Sequence, residues 1–446
     1  MKVSKKILLL VGLVLAAGTL AQAVGVFYKG SEFAQRRDRL LAEARDGVIV
    51  VDAALFPSEF TYLTGITGRT MTGKLIIVPP QVARRSPRPE LWQTTIYLPA
   101  KSPQSGVWND PVLSAGDDTK TLTGIEYNSP QSNFLNDVVK IGQITDTVYI
   151  PFRPSAADSA QFPNDIKFVQ QVRAAHPEMK VKNLLPILDR MRWQKTAAQS
   201  EVMRQACDIT TEAYKEAARY MKPGLYEYEI DGLINYIFRR NAVDDAAFLI
   251  IGSGPNSCIL HHGANDRQIG ENELVVIDIG AVYGQISTDL TRTIPSSGTY
   301  TDEQKKIYEI VLKANKVAID MVKPGVTLSQ VHQAALKVIA DAGYGKYFIH
   351  GTCHTLNGGG ATNPLSAGIS LPKGQDRYLT NDMPLKAGSM FTIEPGIYIP
   401  EKSLGVRIED DILVTANGHE VLTAAAPKEV ADIEKLMKEE TVIIKK

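Results

Sequence analysis

Four acidic residues and one histidine stand where unpaired charge is expensive. Asp278 lies inside an apolar run, between Ile277 and Ile279. Aspartate is disfavoured in a strand, and a buried carboxylate with no partner costs several kcal/mol. Asp289 belongs to the same segment, ELVVIDIGAVYGQISTDLTRTI (273–294), which reads as a hairpin. Leu274 to Ile279 forms its buried strand, Gly284 sits at the turn, and Gln285 to Ile294 returns, bringing Asp289 beside Asp278. Glu394 ends the apolar strand in MFTIEPGIYI (390–399), and Glu409 lies on the next, GVRIEDDILV (405–414), two residues beyond Arg407. His354 closes the run HGTCH (350–354).

Four carboxylates and an imidazole match the needs of two divalent cations, which require bridging carboxylates and activate a water between them. Donors that are mostly oxygen suit Mn²⁺ or a similar metal better than thiolate-type zinc. A lone acid on such a strand reads as a salt-bridged or solvent-facing residue, and Asp410 and Asp411 are read that way. Five donors together do not, because so much buried charge of one sign needs compensation.

Two sets of elements must carry these residues. Thr196 to Met221 reads as a helix, with Met203, Ala206, Ile209, Ala213 and Ala217 at helical spacing, stopped by Lys222-Pro223-Gly224. A second helix runs from Glu227 to Arg240. The order then repeats: Thr301 and Gln304 form a capping box, a helix runs to Val322, Lys323-Pro324-Gly325 stops it, and another helix spans Leu328 to Ala342. Acidic strands follow each pair, Asp278 and Asp289 after the first, Glu394 and Glu409 after the second. This is an internal duplication of two α+β halves facing one shared site.

Ahead of it, a helix over Ser31 to Arg45 precedes strands GVIVVDA (47–53), KLIIVPP (74–80), TTIYLPA (94–100) and VYIPF (148–152), with a helix in NDIKFVQQVRAAH (164–176). Alternation of this kind makes a smaller α/β domain, residues 24–185, before a second domain at 190–446. The Pro- and Gln-rich stretch 79–93 reads as an exposed excursion.

The chain has 446 residues, 44% apolar and 22% charged, which excludes a disordered chain. Lys+Arg and Asp+Glu both number 49, so there is no net field to attract nucleic acid or an anionic membrane. Lys2, Lys5 and Lys6, an apolar run from Ile7 to Leu20 and Ala21-Gln22-Ala23 form a signal peptide, residues 1–23, with cleavage expected after Ala23. The alternative is an uncleaved anchor, since apolar character continues through Val24, Val26 and Phe27. Both place the body outside the cytoplasm, in a periplasm or secreted. Cys207, Cys258 and Cys353 read as small buried residues, or as one pair and a free thiol.

The blocks IGSGPNSCILHH (251–262), VVIDIG and STDLTRT, FIHGTCH (348–354), TIEPGIY (392–398) and GVRIEDD (405–411) resemble, in order, those of the metallopeptidases that include aminopeptidase P, prolidase and methionine aminopeptidase. FTYLTGI (60–66) resembles, more loosely, the first domain of aminopeptidase P and creatinase, which favours that branch. The resemblance implies an α+β pita-bread catalytic domain. It implies Asp278, Asp289, His354, Glu394 and Glu409 as ligands of two metal ions, Mn²⁺ by preference, with Glu394 also the general base. His261 matches a histidine near the substrate, His350 one that helps place the scissile amide or stabilises the tetrahedral intermediate, and Tyr398 and Arg407 match residues that steady Asp278. It further implies small peptides with proline second as substrates, and a dimer or tetramer of this chain.

One departure stands out: after His354 the chain reads Thr-Leu-Asn-Gly-Gly-Gly-Ala, and Ala361 occupies the place of a third histidine. Losing one such contact in the transition state costs ~2–3 kcal/mol, or roughly 10²-fold in rate, without touching metal binding. Asn357 and Asn363 are candidate replacements as donors. The expected activity is a Xaa-Pro aminopeptidase. Its alternatives are a Xaa-Pro dipeptidase, a pita-bread peptide-binding protein of weakened activity, and, ranked below these, a creatinase-like hydrolase that would not need the five ligands.

Overall fold

A computed structural model describes residues 27–66, 73–101, 107, 112–152, 167–243, 245–356, 366–367 and 381–441. The expected signal segment, Asn357, Ala361 and Asn363 lie outside them. Among the described residues no helix is long and apolar enough to cross a membrane. The chain divides into two compact units between Met191 and Arg192.

The first unit is built on a six-stranded mixed sheet, order β4-β3-β2-β1-β5-β6. Its strands are β1 (Val48–Asp52), β2 (Lys74–Ile77), β3 (Thr95–Leu98), β4 (Tyr127–Pro130), β5 (Thr147–Ile150) and β6 (Lys180–Asn183). Helices α1 (Gly30–Glu43) and α2 (Lys167–Ala175) belong to this unit. Val48 and Val50 enter one apolar cluster and Ile49 and Val51 another, so β1 is buried on both faces. Alternate side chains of a strand point to opposite faces, which is why Val48, Ile49, Val50 and Val51 are all apolar. The Pro- and Gln-rich stretch is exposed over most of its length, as expected, although Pro80–Ala83 makes a short helix that buries Val82 and Ala83.

The second unit begins with α3 (Ala197–Tyr220) and α4 (Glu227–Arg240). Thr196 and Gln199 cap α3 reciprocally. An antiparallel sheet follows, with β7 (Asp245–Ser253), β8 (Leu274–Tyr283), β9 (Ile286–Ser287) and β10 (Leu290–Pro295). Then come α5 (Asp302–Asp320), capped by Thr301 and Gln304 as expected, and α6 (Leu328–Asp341). The remaining strands are β11 (Cys353–His354), β12 (Ser366–Ala367), β13 (Met390–Ile393), β14 (Gly396–Ile399), β15 (Leu404–Arg407), β16 (Asp410–Val414) and β17 (His419–Val421).

The duplication appears in hydrogen-bond detail. Gly224 and Gly325 both take left-handed backbone angles, φ 90° and 92°, after their prolines. The Gly224 N–H donates to Ile269 O at 2.8 Å and the Gly325 N–H to Leu385 O at 2.9 Å. In return the Ile269 N–H donates to Leu225 O and the Leu385 N–H to Val326 O. Each KPG turn is thus zipped to a segment in its own half by the same pair of bonds. The two halves, with Ile277 and Ile279 from one and Ile393 and Ile408 from the other, share one apolar core.

Candidate metal centre

The hairpin places Asp278 in the middle of β8, opposite Thr291 of β10. The return strand is not continuous as expected, because it breaks at Thr288-Asp289. There the Thr288 hydroxyl accepts the Ala281 N–H, and the Asp289 N–H turns to Asp411 Oδ2 at 3.0 Å. The break releases Asp289 from the ladder. Glu394 follows β13, its N–H donating to Thr352 O at 2.8 Å, and Glu409 sits between β15 and β16 with its N–H on Thr291 O at 3.0 Å.

Four of the five expected ligands meet at one imidazole. His354 Nε2 lies 3.3 Å from Asp289 Oδ2, 3.5 Å from Glu394 Oε1 and 3.8 Å from Glu409 Oε1. The fifth, Asp278, joins through Arg407, whose Nη2 donates to Asp278 Oδ2 at 2.5 Å. The Arg407 Nε–H donates to Thr291 Oγ1 at 3.2 Å, and the Thr291 hydroxyl donates to Glu409 Oε2 at 2.7 Å. One guanidinium therefore fixes one oxygen of Asp278 directly and one of Glu409 through a threonine. The other two oxygens, Asp278 Oδ1 and Glu409 Oε1, are buried and accept no hydrogen bond.

Electrostatics agree. Burial first, then repulsion from Glu409 and its neighbours, pushes the Asp289 and Glu394 carboxyls well above the ordinary range. Burial, with Asp278 next in effect, raises Glu409 to about 7. Burial lowers His354 to about 4, which keeps its ring neutral and able to ligate. Buried acids with free lone pairs, around a neutral imidazole, fit divalent cations held by oxygen and nitrogen.

His350 lines the same place. Its Nδ1 lies 2.7 Å from Gly351 O, which can only accept, so that nitrogen carries the proton. Nε2 then accepts from the Tyr398 hydroxyl at 2.9 Å, which itself accepts from Arg407 Nη1 at 3.0 Å. Burial and the Arg407 charge lower His350 to about 3, so the ring stays neutral. His261 is exposed, next to Leu260, whose carbonyl accepts from Arg407 Nη2 at 3.4 Å.

Several residues lacked a signal in the sequence. Asp411, read as salt-bridged or solvent-facing, is fully buried, holds the Asp289 N–H and accepts from Cys207 Sγ at 3.4 Å. Asp410 is also fully buried, and it does make the expected ion pairs, with Arg292 and Lys428 at 2.7 Å each. Its solvent-facing alternative fails because Ile408 and Ile412 bracket it in the core. All three cysteines are free, so the pairing alternative also fails. A second group, Glu227, His262 and Asp266, has metal-like spacing. Each oxygen of Glu227 already accepts at least two hydrogen bonds, however, Oε1 from the Ser253 N–H and hydroxyl and Oε2 from His262 and the Arg267 N–H, which leaves no lone pairs for an ion.

The profile of metallopeptidase family M24 matches residues 201–416. The chain is 32% identical to the Xaa-Pro dipeptidase of Pyrococcus furiosus, over 73% of this chain and 90% of that protein. The chain belongs to this family. It is also 29% identical to the Xaa-Pro aminopeptidase of Haemophilus influenzae, over 91% of this chain and 97% of that one. Among solved structures, the aminopeptidase PepP of Pseudomonas aeruginosa superposes with a TM-score of 0.77 at 26% identity, covering 92% of this chain and 98% of that chain. The M24 chain thus has the α+β pita-bread fold and is a metal-dependent peptidase.

Proposed function

We propose that this chain is an exported Xaa-Pro aminopeptidase that holds two divalent cations, Mn²⁺ for preference, on Asp278, Asp289, His354, Glu394 and Glu409. The meeting of Asp289, Glu394 and Glu409 at His354 carries the reading. The cations, when bound, supply a Lewis acid for the scissile carbonyl and lower the pKa of the attacking water. Glu394 takes that water's proton and returns it to the leaving proline nitrogen. His350, neutral and steadied by Tyr398, places the scissile amide, and His261 approaches the substrate from the exposed loop before Gly263.

The likeness to the Haemophilus influenzae aminopeptidase runs through both units, which supports an aminopeptidase. The higher identity to the Pyrococcus furiosus enzyme favours the second reading, a Xaa-Pro dipeptidase. Export rests on the lysines, apolar run and Ala21-Gln22-Ala23 of the first 23 residues. Self-association into a dimer or tetramer rests on the resemblance to aminopeptidase P alone. The test is digestion of Xaa-Pro dipeptides, tripeptides and longer peptides by Mn²⁺-loaded protein. Release of the first residue from tripeptides and longer supports the aminopeptidase. Cleavage of dipeptides only supports the dipeptidase, and no cleavage by protein that holds both metals supports a binding protein.

A further inference from the structure

His262 is the second histidine of ILHH, and the reaction as described uses only the first. The structure treats the two differently: His261 is exposed, whereas His262 is 8% exposed. The Nε2 atom of His262 lies 3.0 Å from Glu227 Oε2, which can only accept, so that nitrogen carries the proton; Asn256 Nδ2 lies 3.1 Å from it as well. Glu227, the first residue of α4, is fully buried. It also accepts the Ser253 N–H and hydroxyl at 2.7 Å each, the Asn256 amide at 3.2 and 3.3 Å, and the Arg267 N–H at 3.1 Å. Burial alone would raise this acid's pKa, yet the bonds from Ser253, His262 and Arg267 outweigh it and hold the group below the usual range. One carboxylate therefore gathers both ends and the middle of segment 253–267. The same segment is seated against β15, where the Gly405 N–H donates to Ser257 Oγ at 2.8 Å and a Cβ on Gly405 would collide with the Ser257 carbonyl.

His261 lies between two anchors. On one side the Leu260 carbonyl accepts from the arginine that holds Asp278. On the other the His262 ring is tied to Glu227. Beyond it Gly263 has open space around it and supplies no restraint. An exposed side chain on an untethered loop loses freedom when substrate binds, and a tether removes that cost beforehand.

We infer that His262, acting through Glu227, is a positioning residue that fixes the backbone under His261 at the substrate side of the metal centre. The inference rests on the Xaa-Pro peptidase reading for what His261 meets, but the tether itself does not. The experiment compares full-length Mn²⁺-loaded wild type, His262→Leu and His262→Gln, since a glutamine amide can still donate to Glu227 and leucine cannot. Three quantities are read: kcat and KM on a Xaa-Pro tripeptide, bound metal, and hydrogen–deuterium exchange of the 253–267 segment. His262→Leu is expected to raise KM about 10-fold with kcat within about twofold. It should also speed exchange in the segment and leave bound metal unchanged, while His262→Gln behaves as wild type. Wild-type KM and exchange in His262→Leu overturn the inference. So does equal impairment of the two variants, or loss of metal together with kcat, which marks a merely structural role. Where His262→Leu does not fold, His262→Asn, too short to reach Glu227, takes its place. A wild type that leaves the peptide intact refutes the functional reading instead, and exchange alone then decides the tether.

Discussion

Arg407 holds Asp278 by one oxygen, with Nη2 at 2.5 Å from Oδ2, and leaves Oδ1 buried and without a hydrogen bond. The pairing fixes the carboxylate by one oxygen and leaves the second buried with its lone pairs free. Because Nε also reaches Glu409 through Thr291, Arg407→Lys keeps the charge and loses the fork. Metal affinity should fall about 10–100-fold, as for other residues that orient ligands. Titration of Mn²⁺ into metal-free variant and wild type checks this; equal affinities would refute the orienting role.

Tyr398 links the arginine to the histidine that lies against the centre. Tyr398→Phe leaves His350 Nε2 buried without its donor, at a cost of about 1–3 kcal/mol. If that cost falls on the transition state, kcat drops roughly 5- to 150-fold while bound metal stays at the wild-type level. Steady-state kinetics alongside metal analysis separates this from a loss of metal.

Asp410 and its cations serve the fold. Arg292 and Asp410 are both fully buried, and Lys428 closes the triad. Asp410→Ala strands a buried guanidinium and should cost about 3–5 kcal/mol. Removing Asp341 from its exposed pair with Lys337, whose side chains are 64% and 75% exposed, should change stability by less than about 1 kcal/mol. Urea denaturation of the two variants gives the comparison.

Cations that bind only the folded chain stabilise it by mass action. At 100 times the dissociation constant the gain is about 2.7 kcal/mol, or roughly 5–10 °C for a unit of this size. Thermal unfolding with Mn²⁺ and then with excess chelator should show that drop in wild type, and a much smaller one in Glu409→Ala.

The acidic cluster was legible because carboxylates on apolar strands are too costly to be accidental, and Asp278, Glu394 and Glu409 each follow an isoleucine in such a run. The duplicated halves were legible for a related reason: proline and glycine end a helix by covalent geometry, so the KPG stops survive any packing. Asp411 was missed because adjacent acids look like a solvated pair, and only the break at Thr288-Asp289 gives it an N–H to hold. Glu227 was missed because an acid in a helix's first turn is already explained by the helix dipole. Its donors come from residues 26 to 40 positions further along, a distance that no local pattern spans.

The central claim is that Asp278, Asp289, His354, Glu394 and Glu409 together cage two cations. Calorimetric titration of Mn²⁺ into chelator-stripped protein, repeated on Asp289→Ala, tests it directly. The account predicts two ions per chain for wild type and fewer than two for the variant. No binding by wild type, or the same two ions with Asp289 removed, would contradict it.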